Sequence, residues 1–389
     1  LKKPDTGCII QFMKKYWRFL SLMSNLPSAS PIQIGQRIIG PDQPPFIIAE
    51  MSGNHNQSLG QALAIVDAAA EAGVDALKIQ TYTADTMTLN ISEGEFFIAD
   101  PNSLWQGSSL YSLYQQAHTP WEWHEPIFKR CQEHGLIGFT SPFDATAVDF
   151  LEAMPEELRV QVYKIASFEI VDLPLIAKVA ATGKPMIIST GMATLDEIND
   201  AVTTAREAGC RDLILLKCTS SYPADPGDSH LRTIPYLQQQ LGIQVGLSDH
   251  TLGIGAAIAA VTLGATVIEK HFTLRRADGG VDSAFSLEPL EMAALVRETR
   301  TAQRALGTVQ VGPTDNERDM LRFRRSLYVA EDIAEGECFT ERNLRAIRPG
   351  LGLSPKFYQQ LLGQKASRAI RRGAPMSWDL VESASTPVS

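Results

Sequence analysis

The sequence predicts an α/β protein: a (β/α)8 TIM barrel followed by a small, β-rich C-terminal domain. Three observations carry this. Short apolar runs without alternation recur from residue 46 onward, and such runs mark strands covered on both faces, as in parallel sheets. Ala-rich stretches with an apolar stripe separate them, and several close on a glycine just before the next run, the phrase of a helix-to-strand connection. Beyond about residue 305 helix formers thin out, and short β-like runs with Gly turns take over.

The strands are expected at 46–50 (FIIAE), 76–80 (ALKIQ), 136–140 (LIGFT), 162–167 (VYKIAS), 185–190 (PMIIST), 213–217 (LILLK), 243–247 (IQVGL) and 266–270 (TVIEK). Helices are expected at 61–72, ending at Gly73, at 195–208, ending at Gly209, and at 255–263, ending at Gly264. An open doubly wound sheet would need G-x-G-x-x-G after the first strand, and MSGNHNQS stands there instead. The long segment 81–135 carries Trp105, Tyr111, Tyr114, Trp121 and Trp123; its first part reads as a loop over the barrel mouth and its last part as a helix. Residues 312–317 (GPTDNE) read as a loop entering a helix, and 326–330 and 344–348 as β-like runs. The expected organisation is a leader or disordered segment at 1–34, a barrel at 35–305, a linker at 306–323 and a second domain at 324–385. Lys14, Lys15 and Arg18 break the apolar run near the start, which argues against a secretory signal.

Composition narrows the function classes. A hydrophobic fraction of 44% excludes disorder as the main state. Lys and Arg number 35 against 44 Asp and Glu, a net charge of −9, which disfavours bulk binding to nucleic acid or an anionic membrane. The five cysteines are widely spaced and form no C-x-x-C. That fits a reducing, cytoplasmic setting without a disulfide frame or thiolate zinc site.

Barrel sites lie at the C-terminal strand ends. There the sequence places Glu50, Lys78, Gln80, Ser141, Lys164, Ser167, Glu169, Ser189, Thr190, Ser220, Tyr222, Ser248, His250, Glu269 and His271. His250 and His271 end adjacent strands, which run about 4.8 Å apart, so two imidazoles can share one metal. Glu269 and Asp282 are positioned to complete or support the shell. Few protein ligands plus oxygen donors suit Mn²⁺, Mg²⁺ or Co²⁺ better than structural zinc. Lys78 and Lys164 either form a Schiff base or clamp a phosphate and a carboxylate. The hydroxyls and N–H groups at Ser189-Thr190-Gly191-Met192 favour the clamp.

The runs FIIAEMSGNHN, ALKIQTY, TSPFD, YKIASFE, ISTGMA, LLKCTSSYP, GLSDHT, IEKHFTL and GGVDSAFSLEP resemble the sialic acid (nonulosonic acid) synthase family. The tail motif IRPGLGLSP looks like the antifreeze-like SAF domain that follows the barrel there. The resemblance covers about residues 35–385. It implies condensation of phosphoenolpyruvate with an N-acetylated amino sugar, a divalent metal acting as Lewis acid on the sugar aldehyde, and a domain-swapped homodimer.

The phrases AEMSGNHNQS and GVDSAFSLEP, with Ser220 and Ser141, resemble the pseudaminic acid branch more than the N-acetylneuraminate or legionaminate branches. That branch implies 2,4-diacetamido-2,4,6-trideoxy-L-altrose as the sugar. By resemblance, His250 and His271 would hold the metal. Lys78, Ser141, Lys164, Ser167, Ser189 and Ser248 would bind phosphoenolpyruvate. Glu50, Gln80, Tyr222 and Asp282 would face the sugar, with Glu169 and Ser220 in the same substrate-binding set. Glu50 would orient the attacking water or stabilise the cationic centre. Arg348 would reach the acetamido group from the other subunit. Met51, Phe285 and the aromatic loop are the candidate surroundings of the sugar's C6.

Overall fold

The computed structural model describes residues 30–382. It divides into two compact units, meeting in sequence at Gly307 and Thr308.

The first unit opens with a hairpin, β1 (Ile32–Ile34) and β2 (Arg37–Ile39), paired Ile32 to Ile39. The expected leader, 1–34, therefore runs too far: its last residues belong to the fold, and residues 1–29 lie outside the described part. The signal was the alternation in IQIGQRII around Gly35, whose φ is 57°. Ile32, Ile34 and Ile39 join the main core. The Gln244 side chain donates to the Ser30 and Ile39 carbonyls at 2.7 and 2.9 Å, and Arg37 pairs with Asp75. Gln244 begins its strand and Asp75 just precedes another, so the hairpin covers the N-terminal end of the barrel, opposite the cavity described below.

The barrel strands are β3 (Phe46–Glu50), β4 (Ala76–Thr81), β5 (Ile137–Pro142), β6 (Tyr163–Ile165), β7 (Met186–Ser189), β8 (Leu213–Cys218), β9 (Gln244–Asp249) and β10 (Val267–His271). All are parallel, and β10 closes the ring on β3. Each expected run forms a strand, with ends shifted by a residue or two. The run 162–167 shortens most: Ala166 leaves the ladder and Ser167–Glu169 turns as a 3-10 helix.

Capping sets the helix bounds. The first helix spans Leu59–Ala72, two residues earlier than expected, because the Ser58 hydroxyl accepts from Gln61 N–H. Its stripe Ala62, Ile65, Val66, Ala69 and Ala72 is buried; Ile65→Ala would cost about 2–5 kcal/mol. A Thr194–Glu197 capping box opens Leu195–Glu207. The 81–135 segment holds more structure than a loop and one helix. It has short helices Ala84–Met87 and Leu110–Ala117, a bridge between Phe97 and Ser109, and then the expected helix, His124–Glu133.

Helix Pro289–Leu306 completes the first unit. In the second, residues expected to enter a helix form a 3-10 helix, Asp315–Phe323, behind a Thr314–Glu317 capping box. Antiparallel β11 (Ser326–Val329) and β12 (Leu344–Ile347) pack over a core that includes Leu327, Val329, Ile333, Phe339 and Leu344. Among the described residues no helix is long and apolar enough to cross a membrane.

Candidate active site

A cavity of about 410 Å³ opens at the C-terminal ends of the barrel strands. Strand alternation decides what faces it. Lys78 and Gln80 line it from β4, Ser248 and His250 from β9 and the residue after it, and Glu269 and His271 from β10. Glu50, Ser189 and Cys218 line it from the last positions of β3, β7 and β8. The seam of the barrel runs through this set: His271 is in register with Glu50, and Glu50 with Lys78.

The closed end is a compensated charge cluster. Lys78 Nζ lies 3.0 Å from Glu50 Oε2, 3.2 Å from Glu269 Oε2 and 3.4 Å from Ser141 Oγ. Lys164 Nζ lies 3.8 Å from Glu269 Oε1, which also accepts from Ser248 Oγ at 2.9 Å. All four charged side chains are buried. Burial raises Glu50 to about 7 against the pull of Lys78. Burial also works to raise Glu269, but Lys164 and Lys78 hold it below its ordinary value. Burial lowers Lys164 to about 8, opposed by Glu269, and raises Glu169 to about 7, opposed by Lys164. Ser189 Oγ and Glu169 Oε2 are buried and have no hydrogen-bond partner among the described residues. Two ammonium groups, loose hydroxyls and the turn after Ser189 make a receptor for an anion with several oxygens.

Above it, the rings of His250 and His271 lie 5.2 Å apart, centroid to centroid. His250 Nδ1 donates to the Thr219 carbonyl at 2.9 Å, which makes Nε2 the nitrogen available to a ligand. His271 Nδ1 is buried and has no hydrogen-bond partner among the described residues, with Asp282 Oδ2 at 3.8 Å. Burial, then His250 and Lys78, push His271 well below its ordinary pKa, so it is a neutral imidazole. Among the described residues no three His, Cys, Asp or Glu side chains form a ready coordination shell. Burial works to lower His250, but Cys218 and the Thr219 carbonyl hold it above its ordinary value; once it gives up that proton, the two imidazoles with Asp282 and Glu269 near them fit a divalent ion that takes its remaining ligands from oxygen.

One wall differs in kind. Met87, Ile98, Trp105, Leu110, Leu113 and Tyr114, all from the long segment between β4 and β5, line the cavity without a charge among them. Trp105 Nε1 donates to the Val281 carbonyl at 2.9 Å and anchors the wall across the mouth.

Of the site residues singled out from sequence, Glu50, Lys78, Gln80, Lys164, Ser167, Glu169, Ser189, Tyr222, Ser248, His250, Glu269, His271 and Asp282 share this cavity. Ser141, Thr190 and Ser220 do not line it. Ser141 is buried against Lys78, and Ser220 packs where a side chain on Gly191 would clash with it. Arg348 is exposed and belongs to the second unit. Met51 and Phe285 are buried behind the lining; Phe285 packs 4.9 Å from the His271 ring. Sequence reasoning missed Ser52 and Cys218. Ser52 lies two residues past Glu50 on the same face; its hydroxyl donates to Asp282. Cys218 ends a recognised strand, and its alternation with Leu216 was the available signal. Burial would raise its thiol, but His250, 3.9 Å away, helps draw it down to about 7.

Comparison with known proteins places relatives around this geometry. The NeuB family model matches residues 65–311, and the SAF domain model residues 324–382. A pseudaminic acid synthase of Helicobacter pylori is 45% identical over 342 residues, covering 87% of this chain and 98% of that protein. One from Campylobacter jejuni is 45% identical over 345 residues, covering 88% and 97%. The crystal structure of N-acetylneuraminic acid synthetase from Leptospira borgpetersenii, in complex with citrate, aligns with a TM-score of 0.67 at 32% identity, covering 76% of this chain and 97% of that one.

Proposed function

The chain belongs to the NeuB family, and from that premise we propose that it condenses phosphoenolpyruvate with 2,4-diacetamido-2,4,6-trideoxy-L-altrose to give pseudaminic acid and phosphate. It is a phosphoenolpyruvate-dependent, C–C bond-forming transferase. The observation that carries the reading is one cavity in which the Lys78–Lys164 cluster lies below the His250–His271 pair and beside an uncharged wall.

Lys78 and Lys164 exchange carboxylate partners for the substrate's carboxylate and phosphate, with Ser167, Ser189 and Ser248 donating to the remaining oxygens. His250 and His271 would hold a divalent ion, Mn²⁺, Mg²⁺ or Co²⁺, which polarises the sugar's aldehyde oxygen when bound. Carbon 3 of phosphoenolpyruvate attacks C1 of the sugar; the C–C bond forms and positive charge develops at C2. Glu50, held by Gln80 Nε2 at 2.9 Å, stabilises that charge and takes the proton from the water that adds there. The tetrahedral centre then expels phosphate by C–O cleavage, which balances phosphoenolpyruvate, sugar and water against product and phosphate.

The uncharged wall from Met87 to Tyr114 suits a sugar with a C6 methyl and two acetamido methyls. Tyr222, 4.5 Å from the His250 ring, and Asp282 face it from the other side. The functional form is a domain-swapped homodimer in the cytoplasm, with Arg348 donating to an acetamido carbonyl of the sugar in its partner's barrel. Phosphate release tests the reaction class: it should need phosphoenolpyruvate, the sugar and a divalent metal together, and release without sugar would contradict it.

A further inference from the structure

We propose that the buried ion pair Asp249–Lys270, on the outer face of the barrel, is a positioning device for the two imidazoles. The inference rests on the reading of His250 and His271 as the metal ligands.

Strand alternation sorts the residues. Ser248, His250, Glu269 and His271 face the cavity, while Asp249 and Lys270 point away from it, toward the helical shell. Lys270 and Asp249 are in register on β10 and β9. Their side chains are 0% and 1% exposed, with Nζ 2.7 Å from Oδ2. The other oxygen, Oδ1, accepts from Thr251 N–H at 2.9 Å and Thr251 Oγ1 at 2.8 Å. Lys270 Nζ also donates to the Thr251 carbonyl. The two side chains thus grip residues 249 and 251 and fix the backbone on both sides of His250. The same lysine immediately precedes His271.

Stability alone does not account for the pair. Two charges in a dry shell repay their desolvation only partly, and well-packed apolar residues of similar volume often serve the fold as well or better. Direction is what the pair adds. The His250 ring is oriented by the Thr219 carbonyl, but only once its backbone is placed. His271 Nδ1 has no hydrogen-bond partner among the described residues, so its ring depends on backbone position and on packing against Phe285. Groups that orient metal ligands from outside the coordination shell are worth about 10- to 100-fold in metal affinity.

The test uses the full chain with Asp249→Leu and Lys270→Met together, and separately Thr251→Val, which keeps both charges. Mn²⁺ affinity is read from the spin-resonance signal of the free ion, alongside Tm in EDTA and phosphoenolpyruvate binding. The double variant should fold with an unchanged or higher Tm, bind Mn²⁺ about 10- to 100-fold more weakly, and keep its phosphoenolpyruvate affinity. Thr251→Val should weaken Mn²⁺ in the same direction by a smaller factor. Mn²⁺ affinity within twofold of the parent in both variants would overturn the proposal. So would a double variant that cannot fold, since the pair would then be holding the barrel together. A parent that binds no Mn²⁺ would instead remove the assignment of the imidazole pair, and this inference with it.

Discussion

Glu50 and Lys78, in register on β3 and β4, hold a carboxylate oxygen 3.0 Å from an ammonium inside a buried charge cluster. Lys78 also reaches Glu269 at 3.2 Å, so an arriving anion competes with two carboxylates for one lysine. Binding the anion would loosen Glu50 from Lys78 and leave it free to act on water beside the reacting carbon.

Burial raises Glu50 to about 7 against the pull of Lys78. A general base works only as the carboxylate, so kcat/KM should fall as pH drops through that region and Glu50 takes up a proton. Glu50→Gln should lower kcat by about 10²- to 10⁴-fold and flatten that acid limb in what activity remains. A limb unchanged in the variant would assign the titration to another group.

The His250 and His271 rings, 5.2 Å apart, are the described candidates for holding the metal. His250→Ala and His271→Ala should each abolish Mn²⁺ binding in calorimetry, because a single remaining imidazole holds the ion poorly. EDTA should stop phosphate release, with Mn²⁺, Co²⁺ or Mg²⁺ restoring it. Full activity of a chelated, metal-free sample would exclude this role for the pair.

Leu113, on the uncharged wall, should tune sugar choice. An apolar pocket rejects an added hydroxyl by about 10²-fold at most. Leu113→Gln should therefore reduce the preference for the trideoxy sugar over N-acetylmannosamine by up to that factor, with KM for phosphoenolpyruvate unchanged. Equal losses for both sugars would mean that the wall only packs.

Arg348 follows β12 in the second unit and is exposed. If it serves the partner's barrel, Arg348→Ala should raise KM for the sugar far more than for phosphoenolpyruvate. Mixing it with inactive His271→Ala should restore activity, because some dimers then carry one intact composite site. Subunit exchange without recovery would place Arg348 outside catalysis or within its own chain.

Much of the barrel was legible because covered parallel strands read as unbroken apolar runs: FIIAE and LILLK stand fully buried as β3 and most of β8. His250, His271, Lys78 and Lys164 were legible because strand ends in a barrel converge by topology alone. The β1–β2 hairpin was missed because its IQI follows a charged, leader-like stretch and joins the fold only through tertiary contacts such as Gln244 with Ile39. Helix Leu110–Ala117 was hidden by its aromatics and glutamines, and the cap at Ser109 was its one local mark. Met51 and Phe285 mark the limit of motif reasoning: Met51 follows Glu50 and so faces the other way, and Phe285 is buried against the His271 ring behind the lining. Cys218 is illegible from cysteine spacing, which speaks only to pairing and zinc; its position at the end of β8 is what places it in the cavity.

The identity of the sugar decides how the uncharged wall is used. Its most direct test is kcat/KM for phosphate release, at saturating phosphoenolpyruvate and Mn²⁺, with the diacetamido-trideoxy altrose and with N-acetylmannosamine in parallel. The wall from Met87 to Tyr114 predicts clear preference for the trideoxy sugar, with pseudaminic acid as product. A higher kcat/KM for N-acetylmannosamine would exclude the trideoxy sugar as the preferred substrate.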